Sequence, residues 1–212
     1  GKTTLVRDYF RNLDEDFMTC TINMNYYTDS FTIQKQLETP IDKRSGKIYG
    51  PPSQKKLIYF VDDLNMPFVE EYGTQTPIAL LRQHADYGCW FDRGELGLKK
   101  DIQDIQFIAA MNPQCGSFNI NPRLQRHYAT FACLMPGAED LKTIYGAILD
   151  SHLGAFDNKV QKVAQHLVNA AIELHKAVSE KFLPSAVKFT YNFNVRDMAS
   201  VFQGVCLSPP DY

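Results

Sequence analysis

The sequence predicts an α/β fold in which helices cover a parallel sheet, followed by an all-helical region. Short apolar runs, rich in β-branched and aromatic residues, alternate with segments of helical periodicity up to about residue 136. From residue 138 onward the apolar positions recur almost only at helical spacing. We therefore predict a sheet domain over residues 1–136 and a smaller helical domain over residues 137–212.

The run of five apolar residues at 57–61 predicts the central strand of the sheet. A continuous apolar run of this length is typical of a strand that is buried on both faces. Asp62 and Asp63 follow it directly. Because ligands of open α/β sheets bind at the carboxyl ends of the strands, we expect these two carboxylates at the rim of a binding site.

The first residues of the chain, Gly1-Lys2-Thr3-Thr4, predict a phosphate-binding segment. The first three match the end of the loop pattern G-x-x-x-x-G-K-[ST], so we expect the chain to begin inside this motif and to be truncated at its amino end. A bound triphosphate needs backbone N–H donors, an ammonium group such as that of Lys2, and a hydroxyl on Mg²⁺ such as that of Thr3.

The two motifs together predict one nucleotide site. Asp62 would hold the magnesium ion, directly or through water, and Asp63 would orient the attacking water. In the opposite interpretation Lys2 begins an ordinary amphipathic helix and the two aspartates cap a turn.

The other predicted elements follow from periodicity and from turn residues. Further strands are predicted over residues 17–23, 105–111 and 129–135, with a short extended piece over 187–193. Helices are predicted over residues 3–12, 28–37, 77–84, 138–153, 160–182 and 195–204, the last capped by Asn194. Proline and glycine among charged residues predict two hairpin-like insertions, an exposed one over residues 39–56 and a second over residues 90–100.

Composition excludes several classes of function. A net charge of −2 and a pI near 6.2 argue against a nucleic-acid partner, which needs a concentrated basic surface. The five cysteines show no C-x-x-C spacing, which favours reduced thiols in a cytosolic compartment over disulfides or a zinc site. The sequence contains no apolar run of membrane-spanning length and no signal peptide, so no membrane partner is expected.

Seven strings, taken in order, resemble an AAA+ ATPase module of axonemal dynein heavy chains. They are GKTT, LIYFVDDLNMP, YGTQTPIALLRQ, GCWFDR, FIAAMNP, INPRLQRHY and FTYNFNVRDMASVFQGV. The resemblance covers nearly the whole chain and is strongest to the third module of the motor ring, in heavy chains of the outer-arm type. It implies an AAA+ P-loop NTPase fold with a small C-terminal helical lid domain.

The resemblance also implies a role for each site residue. Lys2 and Thr3 match the Walker A motif, and Asp62 and Asp63 match the two Walker B acids. Asn112 matches the sensor that positions water against the γ-phosphate. Without the Walker motifs, Asn112 is more consistent with a residue that caps a strand-to-turn transition.

Three arginines match positions with roles at the edges of such a module. Arg196 matches the second sensor, carried by the helical lid, although it is also consistent with a surface arginine that offsets Asp197. Arg123 and Arg126 lie where such modules present an arginine finger to the nucleotide of the neighbouring module, or they line a basic turn only.

One departure from the family pattern bears on activity. Most AAA+ modules carry Glu where this chain has Asp63, and the shorter side chain predicts slow hydrolysis. A catalytically inert ring segment that holds nucleotide permanently, or holds none, is therefore the alternative hypothesis. A free-standing small-molecule kinase or GTPase is disfavoured, because the sequence lacks an N-K-x-D motif.

The resemblance implies ATP or ADP and Mg²⁺ as cofactors. It implies neighbouring AAA+ modules of the same heavy chain as partners in a pseudo-hexameric ring, together with intermediate and light chains. Microtubules would be bound by other parts of a minus-end-directed motor that drives ciliary and flagellar beating. The expected location is the cytoplasm and the cytoskeleton of the axoneme.

Overall fold

The computed structural model describes residues 1–112, 120–183, 191 and 193–210. The chain forms two compact units, Gly1–Cys133 and Leu134–Tyr212. These units are defined by compactness alone, so the predicted domain boundary after residue 136 stays a prediction.

The first unit holds all the described strands and four of the described helices. The strands are β1 (Phe17–Asn23), β2 (Asp42–Ser45), β3 (Ile48–Gly50), β4 (Lys56–Asp62), β5 (Cys89–Phe91), β6 (Lys99–Ile102) and β7 (Ile105–Ala109). The helices are α1 (Lys2–Arg11), α2 (Ser30–Glu38), α3 (Thr76–Tyr87) and α4 (Pro122–Gln125), with a 3₁₀ turn at Pro52–Gln54.

The main sheet has three parallel strands in the order β1-β4-β7. The central strand β4 is its most buried part, and Tyr59, Phe60 and Val61 have no exposed surface. The register pairs Asn23 with Asp62, and Val61 with Ala109. All three strands therefore end at one edge of the sheet, and this common edge lies where the two aspartates were predicted.

The two predicted insertions form a second sheet in the order β2-β3-β6-β5. Each insertion is an antiparallel hairpin, and the parallel pairing of β3 with β6 joins the two hairpins. The first insertion is only partly exposed, since Ile41, Gly50 and Pro51 are buried. The sequence predicts the hairpins individually, but it gives no signal for the pairing between them.

The predicted strand over residues 129–135 is wrong. These residues form no regular element and are exposed, and Phe131 and Leu134 are 85% and 87% exposed. A strand is stabilised by hydrogen bonds to a neighbouring strand. Within the described part of the chain, β7 pairs only with β4, and residues 129–135 pair with no strand.

The second unit is entirely helical in its described part. Its helices are α5 (Ala138–Leu153), α6 (Asn158–Gln161), α7 (Ala164–Lys181) and α8 (Val195–Val205). Leu149, Val168 and Phe202 lie in its core, and the Phe202 ring stacks on Tyr145 with the ring centres 4.4 Å apart.

One prediction for the second unit differs from the structure. The helix predicted over residues 160–182 is divided, because α6 ends at Gln161 and α7 begins at Ala164. The extended piece predicted over residues 187–193 lies mostly outside the described residues. In the part of the chain that the structure describes, no helix is both long and apolar enough to cross a membrane.

Candidate nucleotide-binding site

Thr3 and Asp62 meet at the common edge of the main sheet. The Thr3 hydroxyl, in the first turn of α1, donates a hydrogen bond of 2.7 Å to Oδ2 of Asp62, the last residue of β4. Both side chains are partly buried. The structure thus brings together the two segments from which the sequence predicts a single nucleotide site.

The amino end of α1 has the chemistry of an anion-binding helix terminus. Gly1 is the N-cap residue and makes no side-chain cap, and the first turn contains no acidic residue. Its early N–H groups therefore have no capping side chain among the described residues, and the helix dipole favours a negative charge there. Lys2 is the first helical residue and is half-buried, while Thr4 is exposed.

Asp63 adopts an unusual backbone conformation. Its φ is +55°, in the left-handed region that costs an L-residue with a side chain about 1 kcal/mol, although Asp tolerates it better than most. Its N–H donates to Oδ1 of Asp62 at 3.2 Å, and its carbonyl accepts from the Met66 N–H at 3.0 Å. The carboxylate is exposed and accepts no hydrogen bond from any residue that the structure describes. Left-handed non-glycine residues are frequent at active sites, which is consistent with the predicted role of Asp63.

Asn112 lies at the same edge, just beyond the end of β7, and is exposed. Its backbone carbonyl accepts a hydrogen bond of 3.0 Å from Nδ2 of Asn65, which is only 2% exposed. Asn112 and the turn after β4 are therefore in direct contact. The sequence analysis missed Asn65, and the available signal was a polar residue inside the otherwise apolar stretch from Leu64 to Pro67.

The donors at this edge suit a magnesium ion. Mg²⁺ prefers oxygen ligands and is commonly held by one or two protein oxygens, with water and phosphate completing its shell. The Thr3 hydroxyl and the Asp62 carboxylate supply two such oxygens 2.7 Å apart. Among the described residues no group of three or more His, Cys, Asp or Glu side chains could hold a metal ion, so these two residues would rely on phosphate and water for the other ligands.

Arg196 lies in the second unit, in the first turn of α8, and is exposed. Its exposure fits the predicted alternative of a surface arginine, but it forms no ion pair with Asp197 within the described residues. The Asp197 carboxylate instead accepts from the N–H of Asn194 at 2.7 Å, and the Asn194 side chain accepts from the Arg196 N–H at 2.8 Å. This reciprocal capping leaves the Arg196 side chain out of the cap, and its role toward nucleotide stays a prediction.

The two arginine-finger candidates have different surroundings. Nη2 of Arg126 donates to Oδ1 of Asp86 on α3 at 2.8 Å, and Nε2 of His127 lies 2.8 Å from the same oxygen. The hydrogen bond from Arg126 is the main reason that the pKa of Asp86 lies below its usual range. Arg123 uses its backbone N–H to bond Oδ1 of Asn121 at 2.9 Å, and its side chain forms no ion pair within the described residues.

Three features of the first unit outside this edge involve titratable groups. Lys100 is buried and forms ion pairs of 3.0 Å with Glu38 and 2.6 Å with Asp92. Burial opposes its charge, but these hydrogen bonds outweigh that effect and raise the pKa of Lys100. Burial lowers the pKa of His84 to about 4, and it raises the pKa of Tyr128 to about 12. Within the described residues, none of these groups forms a hydrogen bond or an ion pair with Asp62 or Asp63.

Comparison with known proteins agrees with the geometry. A family model described as "P-loop containing dynein motor region" matches residues 1–136, and one described as "AAA+ lid domain" matches residues 167–211. The chain is 50% identical to "Dynein beta chain, ciliary" of Tripneustes gratilla, with 100% of the chain aligned. It is 47% identical to "Dynein axonemal heavy chain 9" of Homo sapiens over 98% of the chain, and 46% identical to "Dynein beta chain, flagellar outer arm" of Chlamydomonas reinhardtii over 100%.

The chain spans only 5% of the length of each of these relatives. Their similarity nevertheless extends over essentially all of its residues, and the motor-region model covers the whole of the main sheet and the candidate site. The parallel sheet with flanking helices is the α/β arrangement of an AAA+ P-loop domain. This chain belongs to the family of P-loop-containing dynein motor regions, with an AAA+ lid at its carboxyl end.

Proposed function

We propose that this chain is a regulatory AAA+ module of an axonemal dynein heavy chain, which binds ATP and hydrolyses it slowly. One observation carries the proposal: the 2.7 Å hydrogen bond between the Thr3 hydroxyl and the Asp62 carboxylate. It joins the phosphate-binding segment to the tip of the central strand, which is the relationship that a Mg²⁺–triphosphate site requires.

In this site one set of groups binds the triphosphate and a second set binds its magnesium ion. The Lys2 ammonium and the N–H groups at the start of α1 bind phosphate oxygens, and Thr3 and Asp62 hold the magnesium ion. The ion, when bound, neutralises the negative charge that the phosphates carry during transfer. Asp63 accepts a proton from, or orients, the attacking water, and Asn112 holds that water against the terminal phosphate.

The proposed regulatory output is the nucleotide state. With ATP bound, Arg196 pairs with phosphate and closes the helical lid over the site, and hydrolysis releases that contact. Arg123 and Arg126 serve the nucleotide of the neighbouring module. Arg126 must first give up its hydrogen bond to Asp86, whereas Arg123 has no such bond to lose among the described residues.

The similar proteins support the proposal that this module is part of a larger motor protein. Their printed names are those of ciliary and flagellar dynein chains, including a flagellar outer-arm chain of Chlamydomonas reinhardtii. These names support an outer-arm-type heavy chain of the axonemal cytoskeleton. The third position in a pseudo-hexameric ring of modules is proposed from the resemblance of the sequence strings alone. Microtubules and the intermediate and light chains would be bound by other parts of that minus-end-directed motor, which drives ciliary and flagellar beating.

The proposal is tested in a full-length heavy chain that carries this sequence. Lys2→Ala should empty this site of nucleotide, because the triphosphate loses its cationic partner. Asp63→Asn should leave ATP bound but unhydrolysed. Nucleotide occupancy of the site in the purified ring is the measurement, and unchanged occupancy in the Lys2→Ala protein would contradict the proposal.

The alternative is a ring segment that holds nucleotide without turning it over. Two observations favour it: an aspartate stands where most AAA+ modules have glutamate, and the Asp63 carboxylate accepts no hydrogen bond from the residues that the structure describes. Bound ADP that resists exchange over many motor cycles would support this alternative, and ATP-dependent exchange at the site would exclude it.

A further inference from the structure

We propose that Asn65 is a positioning residue, which holds the first-sensor residue Asn112 in a fixed relation to the carboxylates after β4. This inference rests on the proposed function, since it assigns a second, supporting residue to the same hydrolytic site. It arises from one contact, the hydrogen bond of 3.0 Å from Nδ2 of Asn65 to the backbone carbonyl of Asn112.

The contact is partly buried, because Asn65 lies inside the protein and Asn112 lies at its surface. Asn65 is 2% exposed, so its amide group has almost no water to bond instead. A buried amide that loses its hydrogen-bond partner destabilises the fold, because no water replaces that partner. The bond to Asn112 is therefore strongly preferred, and the position of the Asn112 backbone is tied to the turn after β4.

The Asn65 side chain continues the sheet where strand pairing stops. The ladder between β4 and β7 ends with Val61 opposite Ala109. The Ala110 N–H then donates to the Val61 carbonyl at 2.9 Å, and the Leu64 N–H donates to the Ala110 carbonyl at 3.1 Å. Beyond these bonds the backbone of the turn has left the strand direction, and the amide of Asn65 makes the next connection, to Asn112.

The turn fixed in this way carries the predicted catalytic acid. Asp63 lies between Asp62, which ends the strand, and Asn65, which is anchored to Asn112. Its left-handed conformation, with φ at +55°, persists only if the structure on both sides determines it. On the downstream side the Leu64–Ala110 bond and the Asn65–Asn112 bond both anchor the turn, and the second of these sets the position of Asn112 relative to Asp63.

Two substitutions remove this contact while keeping the number of side-chain heavy atoms. Asn65→Leu deletes the donor, and Asn65→Asp replaces the amide donor with a carboxylate that repels the Asn112 carbonyl. Gln75→Leu is a matched control in the same loop. Gln75 is 6% exposed and donates through Nε2 to the carbonyl of Pro67 at 2.7 Å, so the control loses a similar buried bond that does not reach Asn112.

The experiment uses the full-length heavy chain, and the measurement is the rate at which ATP bound at this site becomes ADP in a single turnover. We expect both Asn65 variants to slow this rate by about tenfold or more, because misplacing a reacting group by a fraction of an ångström has effects of this size. Their affinity for ATP should stay within about twofold of the parent, since no phosphate contact is lost. Gln75→Leu should match them in thermal stability but keep the parental rate.

A second comparison separates positioning from a general loss of order. If Asn65 acts through Asn112, then Asn65→Leu added to an Asn112→Ala chain should cause no further slowing. The inference would be overturned if the rate reductions caused by the two substitutions multiplied in the double variant. It would also be overturned if Asn65→Leu and Gln75→Leu converted bound ATP at the same rate.

Failure of the inference can be told from failure of the proposed function by including Lys2→Ala. If Lys2→Ala empties the site while the Asn65 variants keep the parental rate, only the positioning role is wrong. If Lys2→Ala leaves nucleotide occupancy unchanged, the proposed function is wrong. A parental module that never converts its ATP to ADP overturns the positioning role together with the hydrolytic part of the proposed function.

Discussion

The hydroxyl of Thr3 and the carboxylate of Asp62 are joined by a hydrogen bond of 2.7 Å, although 59 positions separate the two residues in the chain. Thr3 lies in the first turn of the first helix, and Asp62 is the last residue of the most buried strand of the main sheet. The bond brings two hard oxygen donors together at the edge of the sheet where parallel strands end. Such an arrangement is preorganised for a small divalent cation that also binds phosphate.

Replacing Thr3 tests the importance of this pair. Thr3→Val keeps the shape of the side chain but removes the hydroxyl, whereas Thr3→Ser keeps the hydroxyl. We expect Thr3→Val to weaken Mg²⁺-dependent ATP binding by about tenfold or more, because a hydrogen bond or ligand contact to a charged group contributes roughly 1.5–3 kcal/mol. Thr3→Ser should bind nearly as the parent does. Equal binding by both variants, measured by equilibrium titration with fluorescent ATP, would contradict the assigned role.

Lengthening Asp63 by one methylene tests the explanation for slow hydrolysis. Asp63→Glu places the carboxylate type found in most AAA+ modules at this position, and we expect ATP hydrolysis at the site to become faster by about tenfold. Asp63→Asn should abolish it while ATP binding persists. Single-turnover formation of ADP in the full-length heavy chain is the measurement. A glutamate variant no faster than the parent would show that the length of this side chain does not limit the reaction.

Lys100 and Lys99 form a matched pair for testing the second sheet. Lys100 is 7% exposed and pairs with Glu38 and Asp92, whereas the side chain of Lys99 is 44% exposed and pairs with Asp101 at 2.7 Å. Lys100→Met leaves two partly buried carboxylates without their cation, and we expect a loss of about 3 kcal/mol in the free energy of unfolding. Lys99→Met should cost much less, because an exposed ion pair contributes little to stability. Urea denaturation measures the free energy of unfolding of both variants. Equal losses would contradict the claim that the burial of Lys100 makes its ion pairs more important for stability.

Acid should destabilise the first unit through His84. Its ring lies against Trp90 and Phe107, with ring centres 5.6 and 5.4 Å apart, and burial lowers its pKa from 6.5 to about 4. The unfolded chain therefore binds a proton at this residue between pH 6.5 and 4 when the folded chain does not, and stability falls as the pH falls through that window.

The variant His84→Phe removes this linkage. The loss of stability on going from pH 7 to pH 4 should be smaller in the variant by about 2 kcal/mol, a figure that allows for the residual solvent exposure of the ring. At pH 7 His84 is neutral in both states and contributes no such difference. Urea denaturation of both proteins at several pH values provides the test, and parallel pH profiles would contradict it.

The elements that the sequence predicts well are those with a local signal. The strand Phe17–Asn23 and the central strand Lys56–Asp62 lie where the apolar runs place them, and Asn194 caps the last helix as predicted. The pairing of the two insertions into one sheet and the absence of a strand over residues 129–135 depend on which edges meet in space. No local pattern records such pairing, because hydrogen bonds between strands join residues that are distant in the chain.

The candidate site likewise contains features that the sequence predicts and features that it does not. Thr3 and Asp62 belong to motifs whose chemistry implies a shared ligand, so their meeting is predictable from the sequence. Asn65 was missed because its function depends on a carbonyl that lies 47 positions away and becomes its neighbour only through β4–β7 pairing. The left-handed backbone of Asp63 likewise has no sequence signal beyond the tolerance of aspartate for that conformation.

The most direct test of the shared site is a cryo-electron microscopy map of a full-length heavy chain carrying this sequence, prepared with ATP and Mg²⁺. We predict nucleotide density at this module, with the phosphates against Lys2 and the start of α1, and a cation between Thr3 and Asp62. An empty site at this edge of the sheet, or nucleotide bound away from both Thr3 and Asp62, would contradict the central claim that these residues bind one triphosphate.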